Sequence, residues 1–259
     1  MEHHIPLPTS VRVERASEND ATMILEPFYP GYGTTIGNAL RRVLLSSMPG
    51  AAITSVKIKG VQHEFSTIDH VKEDVVGIIL QLKLVRVKLL HDEPVTLKMK
   101  VKGEKVVPAA DFEENSAVEV RNPEQHLATL TSPSATFEME VIVEKGLGYR
   151  PVEAREKEKL ELGTIAIDAI FTPVRTVNFK VEHVRVGQVT NFERVDLQVV
   201  TDGIIDPEAA FRHAVQILLD HYQHLQTLGQ GSAATEEMPV ETVDILETTK
   251  PATEEGVNS

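Results

Sequence analysis

The stretch GYGTTIG places Gly31, Gly33 and Gly37 just before and inside a predicted helix. A glycine-rich turn that leads into a helix can bind phosphate, because free backbone N–H groups point at the anion. A dinucleotide site also needs a strand that runs directly into the turn, but PFYP at 27–30 intervenes. The next strand, SVKIKGV at 55–61, alternates as an exposed strand and ends without a ribose-binding acid. Two interpretations remain: a nucleotide-dependent enzyme that uses this turn, or a tight turn in which glycine supplies positive φ or room for close backbone approach.

Two adjacent arginines, Arg41 and Arg42, interrupt an apolar helical pattern in GNALRRVLLSSMPG. On a helix, Asn38, Arg42 and Leu45 share one face, whereas Arg41 points about 100° away from Arg42. One interpretation is a solvated face whose arginine stems lie along apolar surface. The other is protein recognition, because a guanidinium is a rigid fork of donors that suits carboxylates or carbonyls on a partner.

The other residues that could do chemistry do not form a set. Four acids could each serve as a general base: Asp69, Glu73, Asp74 and Asp168. Nothing in the sequence supplies the nucleophile, orienting group or second carboxylate that a mechanism needs. His221 and His224 are three residues apart in a predicted helix, but no third ligand accompanies them, so we expect surface histidines and no metal site. The sequence therefore favours a binding or structural chain over a catalyst.

The composition narrows the class further. The 259 residues include no cysteine and carry a net charge of −13, so the chain as a whole should repel phosphate backbones. No run is apolar enough to span a membrane, and the start MEHHIPLPTS lacks the basic and apolar regions of a signal peptide. We therefore expect a cytoplasmic protein without membrane contact, in keeping with the absence of disulfides.

Period-two alternation dominates the chain and predicts half-exposed, antiparallel strands. The alternating stretches are VRVER at 11–15, SVKIKGV at 55–61, VTLKMKVKG at 95–103, TFEMEVIVE at 136–144, TVNFKVEHVRV at 176–186 and FERVDLQVV at 192–200. Helical spacing occurs at 34–48, 72–83 and 207–228. Thr34 or Thr35 is the predicted N-cap of the first helix, and Asp206 that of the last. The predicted fold class is α+β, without a regular βαβ alternation.

Both long helices are amphipathic and need a surface that covers their apolar side. The first has an N-terminal stripe of four residues: Ile36, Leu40, Val43 and Leu44. The last has a C-terminal seam with coiled-coil spacing: Phe211, Val215, Leu218, Tyr222 and Leu225. The seam could pack on the chain's own sheet or on a second chain. Its position before residues 230–259, an acidic segment predicted to be a disordered tail or linker, favours an exposed, dimerising helix.

Residues 25–75, LEPFYPGYGTTIGNALRRVLLSSMPGAAITSVKIKGVQHEFSTIDHVKEDV, closely resemble the N-terminal region of the bacterial RNA polymerase alpha subunit. Three further blocks follow in the family's order: KGLGY at 145–149, VRVGQVTNF at 184–192 and TDGIIDPEAA at 201–210. The likeness covers residues 5–229, and an ordered series of this length is far more specific than a single motif.

The resemblance implies a two-part α+β fold and a homodimer. A discontinuous dimerisation and assembly domain would comprise 5–49 and 172–229, and an inserted, mostly β domain would comprise 50–171. Pro49-Gly50 and Thr172-Pro173 are the hinge signals at the junctions. In the homodimer, the N-terminal stripe and the C-terminal seam of two chains would pack together.

The resemblance also implies partners. The homodimer would be the platform for polymerase assembly, with one protomer docking the beta subunit and the other beta-prime, in an enzyme that also contains omega and sigma. Arg42 matches the arginine that the family uses toward beta, and Asn38 and Leu45 share its face. HEFSTI at 63–68 and VKED at 71–74 are expected to extend that surface, and VRVGQ at 184–188 resembles the part nearer beta-prime.

Finally, the resemblance sets limits on what this chain does. The nucleotidyl-transfer site and its magnesium belong to the large subunits, so we expect neither a cofactor nor a catalytic residue here. Family members usually continue into a small helical domain that binds promoter DNA, and without it no direct promoter contact is expected. Val189 and Thr34 stand where the family commonly has a basic residue and a histidine. A homodimeric adaptor unrelated to transcription remains a further alternative.

Overall fold

The computed structural model describes residues 5–155 and 161–229. The helices in these ranges are α1 (Tyr32–Ser46), α2 (Val75–Leu82) and α3 (Pro207–Gly229). The strands are β1 (Ser10–Ser17), β2 (Asp20–Phe28), β3 (Pro49–Ile58), β4 (Val87–Leu89), β5 (Val95–Lys102), β6 (Lys105–Pro108), β7 (Val118–Val120), β8 (His126–Leu130), β9 (Thr136–Leu147), β10 (Tyr149–Arg150), β11 (Thr164–Ala166), β12 (Ala169–Ile170), β13 (Val174–Val186) and β14 (Val189–Thr201). Short 3-10 helices span Ala109–Asp111 and Val152–Arg155. The predicted α+β class is confirmed.

The first sheet joins strands from both ends of the described chain. Its order is β1-β2-β14-β13, and every neighbouring pair is antiparallel. Val195, Leu197 and Val199 of β14 are fully buried, because alternate residues of a strand point to the same face. Leu44 of α1 and Ala214 of α3 pack into the same hydrophobic cluster, which we call the first core.

The second sheet has its own hydrophobic cluster, the second core. Its order is β11-β3-β9-β5, again antiparallel throughout. Val141 and Val143 of β9 are fully buried, and α2 contributes Val75 and Ile78 to the same cluster. The two cores share no residue.

Two helices begin at residues that the sequence did not predict. The N-cap of α1 is Gly31, whose φ of 88° is left-handed. Thr34 and Thr35 lie inside the helix, so their predicted capping role is wrong; a left-handed cap favours glycine over a β-branched residue. The helix predicted at 72–83 is shorter, and its N-cap is Asp74, whose side chain accepts a hydrogen bond from the third helical N–H.

Two strands differ from their predicted exposure. SVKIKGV, predicted to be exposed, is mostly buried: Ser55, Val56 and Ile58 are 1%, 1% and 2% exposed. The reason is that β3 lies inside the second sheet, between β11 and β9. Conversely, β1 is an edge strand that is exposed along nearly its whole length.

Among the described residues, 5–155 and 161–221 belong to one compact unit, and 222–229 belong to a second. Of the second unit, the structure describes only the end of α3, residues 222–229. The acidic tail predicted at 230–259 lies outside the described residues. The domain boundaries suggested by the resemblance stay a prediction. Across 5–155 and 161–229, no helix is long and apolar enough to cross a membrane.

Candidate docking surface on the first helix

Helix α1 has three faces with different surroundings, because a period of 3.6 residues distributes its side chains around the axis. The core face, which packs against β13 and β14, consists of Gly33, Gly37, Leu40 and Leu44. The flank consists of Ile36 and Val43, which are half-buried beside the first core. The outer face consists of Asn38, Arg42 and Leu45, which are exposed.

Two glycines of the core face allow α1 to lie very close to the sheet. A Cβ at Gly33 would lie 2.8 Å from Glu193 Oε2, and one at Gly37 would lie 2.7 Å from Phe179 Cδ2. A larger residue at either position would force its neighbours to move, because protein interiors are close-packed. The interpretation of GYGTTIG as a tight turn with positive φ and close backbone approach is confirmed.

A carboxylate of the same chain already occupies the first amides of α1. Glu193 Oε1 accepts a hydrogen bond from Gly31 N, and Oε2 accepts one from Gly33 N, each at 2.9 Å. Glu193 is only 8% exposed. A phosphate at this turn would need the same N–H groups and would meet a negative charge. The structure therefore contradicts the nucleotide-binding alternative for Gly31–Gly37.

Glu193 is not among the predicted site residues, although the sequence carries a signal for it. In FERVDLQVV, Glu193 has the same parity as Val195 and Leu197, which are fully buried. An acid in the buried register of an alternating strand requires a hydrogen-bonding partner. Alternation alone does not identify that partner, because Gly33 lies 160 residues earlier in the chain.

The outer face presents a cation without an acceptor in the described part of the chain. The guanidinium of Arg42 makes no hydrogen bond or ion pair with residues 5–155 or 161–229. Besides the backbone bonds of the helix, the carbonyl of Arg42 accepts a hydrogen bond from Ser46 Oγ at 2.8 Å. Arg194 is different, because it binds Glu182 at 2.6 Å and Asp196 at 2.9 Å. Arg42 therefore keeps its donors available for another molecule.

Several of the other residues predicted to contact large subunits are also on the surface. Asn38 is exposed and Leu45 is 36% exposed, on the same face as Arg42. Phe65, in the HEFSTI segment, is 81% exposed. Val186 and Val189, at the turn between β13 and β14, are 40% and 48% exposed. The roles of these residues in docking stay predictions.

The N-terminal stripe does not form one exposed surface. Leu40 and Leu44 are 2% and 0% exposed, because they pack against the chain's own sheet. They belong to the first core, and their assignment to a dimer interface stays a prediction. Ile36 and Val43, on the flank, keep part of their surface.

The C-terminal seam is divided in the same way. Phe211, Val215 and Leu218 are half-buried and pack against the first core. Tyr222 and Leu225 are 57% and 60% exposed. The first three residues of the seam thus pack on the chain's own core, and the last two lie on an exposed part of the helix, as predicted. Pairing with a second chain stays a prediction.

Three of the candidate general bases have structural roles. Asp74 caps α2. Glu73 accepts hydrogen bonds from the backbone N–H and the hydroxyl of Thr129, at 2.7 and 2.9 Å. Asp168 binds Lys83 Nζ at 2.8 Å, and this hydrogen bond from the ammonium group holds the pKa of Asp168 below its ordinary value.

The remaining candidates lie on the surface. Asp69 is exposed, as are His221 and His224 on α3. In the ranges 5–155 and 161–229, no group of three or more histidines and acids is arranged to hold a metal ion.

Comparisons with known proteins agree with this architecture. The family profile described as "RNA polymerase Rpb3/RpoA insert domain" matches residues 56–172. The DNA-directed RNA polymerase subunit alpha of Roseiflexus castenholzii is 47% identical over 226 residues, which cover 87% of this chain and 69% of the relative. The subunit of Roseiflexus sp. strain RS-1 is 46% identical with the same coverage. That of Oceanobacillus iheyensis is 50% identical over 198 residues, 76% of this chain and 63% of the relative. Identity at this level over most of its length shows that the chain belongs to the family of bacterial DNA-directed RNA polymerase alpha subunits.

Proposed function

We propose that this chain is a non-catalytic subunit of DNA-directed RNA polymerase and acts as a homodimeric scaffold for the beta and beta-prime subunits. The identity of its relatives as polymerase alpha subunits supports a place in that enzyme. One structural observation supports the docking role above all. It is the outer face of α1, where Arg42 is exposed without an acceptor among the described residues.

The outer face has the chemistry of a protein-docking site. The chain has a net charge of −13, yet Arg42 pairs with no acid among residues 5–155 and 161–229. Its guanidinium suits carboxylates or carbonyls of another subunit. Leu45 and Asn38 add an apolar contact and an amide on the same face. Because the core face is packed on the sheet, the outer face is held rigidly, which reduces the entropy lost on docking.

A second copy of the chain is the partner proposed for a different surface. In the first sheet, Val11 pairs with Leu25, and Val13 pairs with Met23. Directly opposite residues of an antiparallel pair point to the same face, and Leu25 and Met23 are buried in the first core. Val11 and Val13 therefore lie on the side of the first sheet that faces the first core, yet they are 60% and 38% exposed. We assign these two valines, the flank of α1 and the exposed end of the C-terminal seam to the dimer interface.

The remaining assignments follow from family membership. One protomer docks beta through the outer face, and the other docks beta-prime near the turn between β13 and β14, in an enzyme completed by omega and sigma. Nucleotidyl transfer and its magnesium are assigned to the large subunits. The described residues are assigned no direct promoter contact, and the complex works in the cytoplasm.

Capture of purified beta subunit by Arg42→Ala homodimers tests the docking role. We expect the variant to fold and dimerise as the wild type, because exposed substitutions usually change stability by no more than about 0.5 kcal/mol. We expect its Kd for beta to rise about 30-fold, as for an interface hot spot. Biolayer interferometry measures the Kd, and light scattering checks the dimer.

Arg41→Ala is the matched control, because the two arginines are adjacent, exposed and on the same helix. Its Kd for beta should stay close to that of the wild type. Equal affinities of Arg42→Ala and wild type for beta would reject the docking role of the outer face.

A further inference from the structure

Glu193 connects two parts of the chain to which the proposed function gives different partners. It lies in β14, shortly after the turn that is assigned to beta-prime. Its carboxylate binds Gly31 N and Gly33 N at the start of α1, the helix that is assigned to beta. One buried side chain thus joins the hairpin of β13 and β14 to the docking helix.

The geometry of this contact fixes the helix tightly. Both carboxylate oxygens are used, each with an N···O distance of 2.9 Å, so α1 cannot slide along the sheet without losing a hydrogen bond. A buried N–H group without an acceptor is strongly disfavoured. One turn further along α1, Gly37 lies against the ring of Phe179 in β13, so the helix cannot approach β13 more closely at this point.

We infer that Glu193 is a positioning residue for beta docking. By tying the start of α1 to β14, its carboxylate sets the direction in which the helix presents Asn38 and Arg42. The inference rests on the proposed function, because it assumes that this outer face docks beta. It adds a residue that lies in β14, outside the outer face of α1.

A positioning role differs measurably from a purely structural one. Leu40 and Leu44 are buried in the first core, so we expect the chain to fold when the carboxylate is changed. The start of the helix then samples other positions. The apparent affinity for beta falls in proportion to the fraction of chains that hold α1 in the docking position.

Glu193→Gln in the homodimeric full chain is the test variant. Glutamine keeps the length of the side chain but offers one acceptor oxygen in place of two, and its NH₂ group faces an N–H donor. Glu182→Gln is the matched control, because the carboxylate of Glu182 binds Arg194 and Lys180, away from α1. Beta binding is measured below the unfolding temperature of every variant, together with amide hydrogen exchange of residues 29–37.

We expect Glu193→Gln to exchange the amides of 29–37 faster and to bind beta about tenfold more weakly, with the dimer intact. Glu182→Gln should match the wild type in both measurements. Glu193→Asp keeps two acceptor oxygens and should restore part of the affinity; it also replaces the glutamine variant if that variant does not fold. Faster exchange at 29–37 with wild-type affinity for beta, in either variant, would overturn the inference. Equal beta binding by wild type and Arg42→Ala would instead overturn the proposed function.

Discussion

At the scale of single residues, Glu138 shows how charge pairs on the solvent-exposed side of the second sheet make stability depend on pH. Its carboxylate binds Lys100 Nζ at 2.7 Å and Lys59 Nζ at 3.0 Å. These two hydrogen bonds lower the pKa of Glu138 from 4.5 to about 2. Because the folded-state pKa lies below the unfolded value, the ionised carboxylate contributes its full stability above pH 4.5. That contribution is lost as the pH falls through about 2.

Glu138→Gln therefore should change stability in a pH-dependent way. We expect the variant to be less stable than the wild type at pH 7, and we expect the difference to shrink as the pH falls from about 4.5 to about 2. Urea unfolding of both proteins across this range measures the difference. A difference that stays constant with pH would show that the two lysines do not stabilise the ionised carboxylate.

The sequence predicted some residue roles and not others, for physical reasons. The grouping of Asn38, Arg42 and Leu45 on one face follows from helical periodicity alone. The burial of Glu193 follows from strand parity, but its contact with the first turn of α1 requires the fold. The N-cap Gly31 was not predicted because glycine has no side chain that could accept a capping hydrogen bond. Thr34 and Thr35 have suitable hydroxyls, but they lie inside the helix.

At the scale of elements, the junction between α1 and β3 depends on a close backbone approach. Gly50 lies so near to Phe171 that a Cβ at this position would be 1.7 Å from the carbonyl oxygen of Phe171. A side chain could rotate away from such a contact, but a backbone carbonyl in a packed strand junction cannot. The junction therefore tolerates only glycine.

We expect Gly50→Ala to destabilise the fold by about 3 kcal/mol or more, at the upper end of overpacking effects. Gly103→Ala is the matched control, because Gly103 has a φ of 84° but no atom within 4 Å of its Cβ position. That variant should lose only about 1 kcal/mol, the usual cost of left-handed backbone. Denaturant unfolding compares the two. Equal losses would mean that the junction relaxes around the new methyl group.

The sequence predicted the elements that have one solvated face. Strands β5, β9 and β14 alternate because one side packs on a core, and their stretches were recognised. The start of β3 was missed because residues 51–56 are all buried, so both faces are apolar or small and no alternation exists. Strand β2 was missed for a similar reason, since Met23, Ile24 and Leu25 are consecutive buried residues.

At the scale of the whole molecule, the proposed homodimer depends on apolar surface that the single chain leaves uncovered. Leu225, in the C-terminal seam, is 60% exposed, so its replacement by a charge does not disturb the core of the chain. In a dimer interface the same charge would be buried without a partner, which is strongly disfavoured. A charge at the exposed end of the seam should therefore prevent dimerisation without preventing folding.

We expect Leu225→Asp to give folded monomers at concentrations where the wild type is dimeric. Sedimentation velocity measures the mass, and circular dichroism checks the fold. Gln226→Asp, one position along the same helix and outside the seam, should remain dimeric. A dimeric Leu225→Asp protein would remove this part of the seam from the interface.

The partners of the molecule were inferred from resemblance, because periodicity cannot name them. A seam of apolar residues packs equally well on its own sheet or on a second chain, and here Phe211, Val215 and Leu218 take the first option. The sequence blocks shared with the polymerase alpha family led to the prediction that the chain is an alpha subunit, and the similarity to known alpha subunits confirms the family.

Photo-crosslinking from Leu45 in reconstituted polymerase tests the docking role of α1, because it reports which chain lies over the outer face of the helix. A benzophenone amino acid replaces Leu45, which is exposed and apolar, and the crosslinked products are identified by mass spectrometry. We expect an adduct between this chain and the beta subunit. An active, fully assembled enzyme that gives no beta adduct from Leu45 would contradict it.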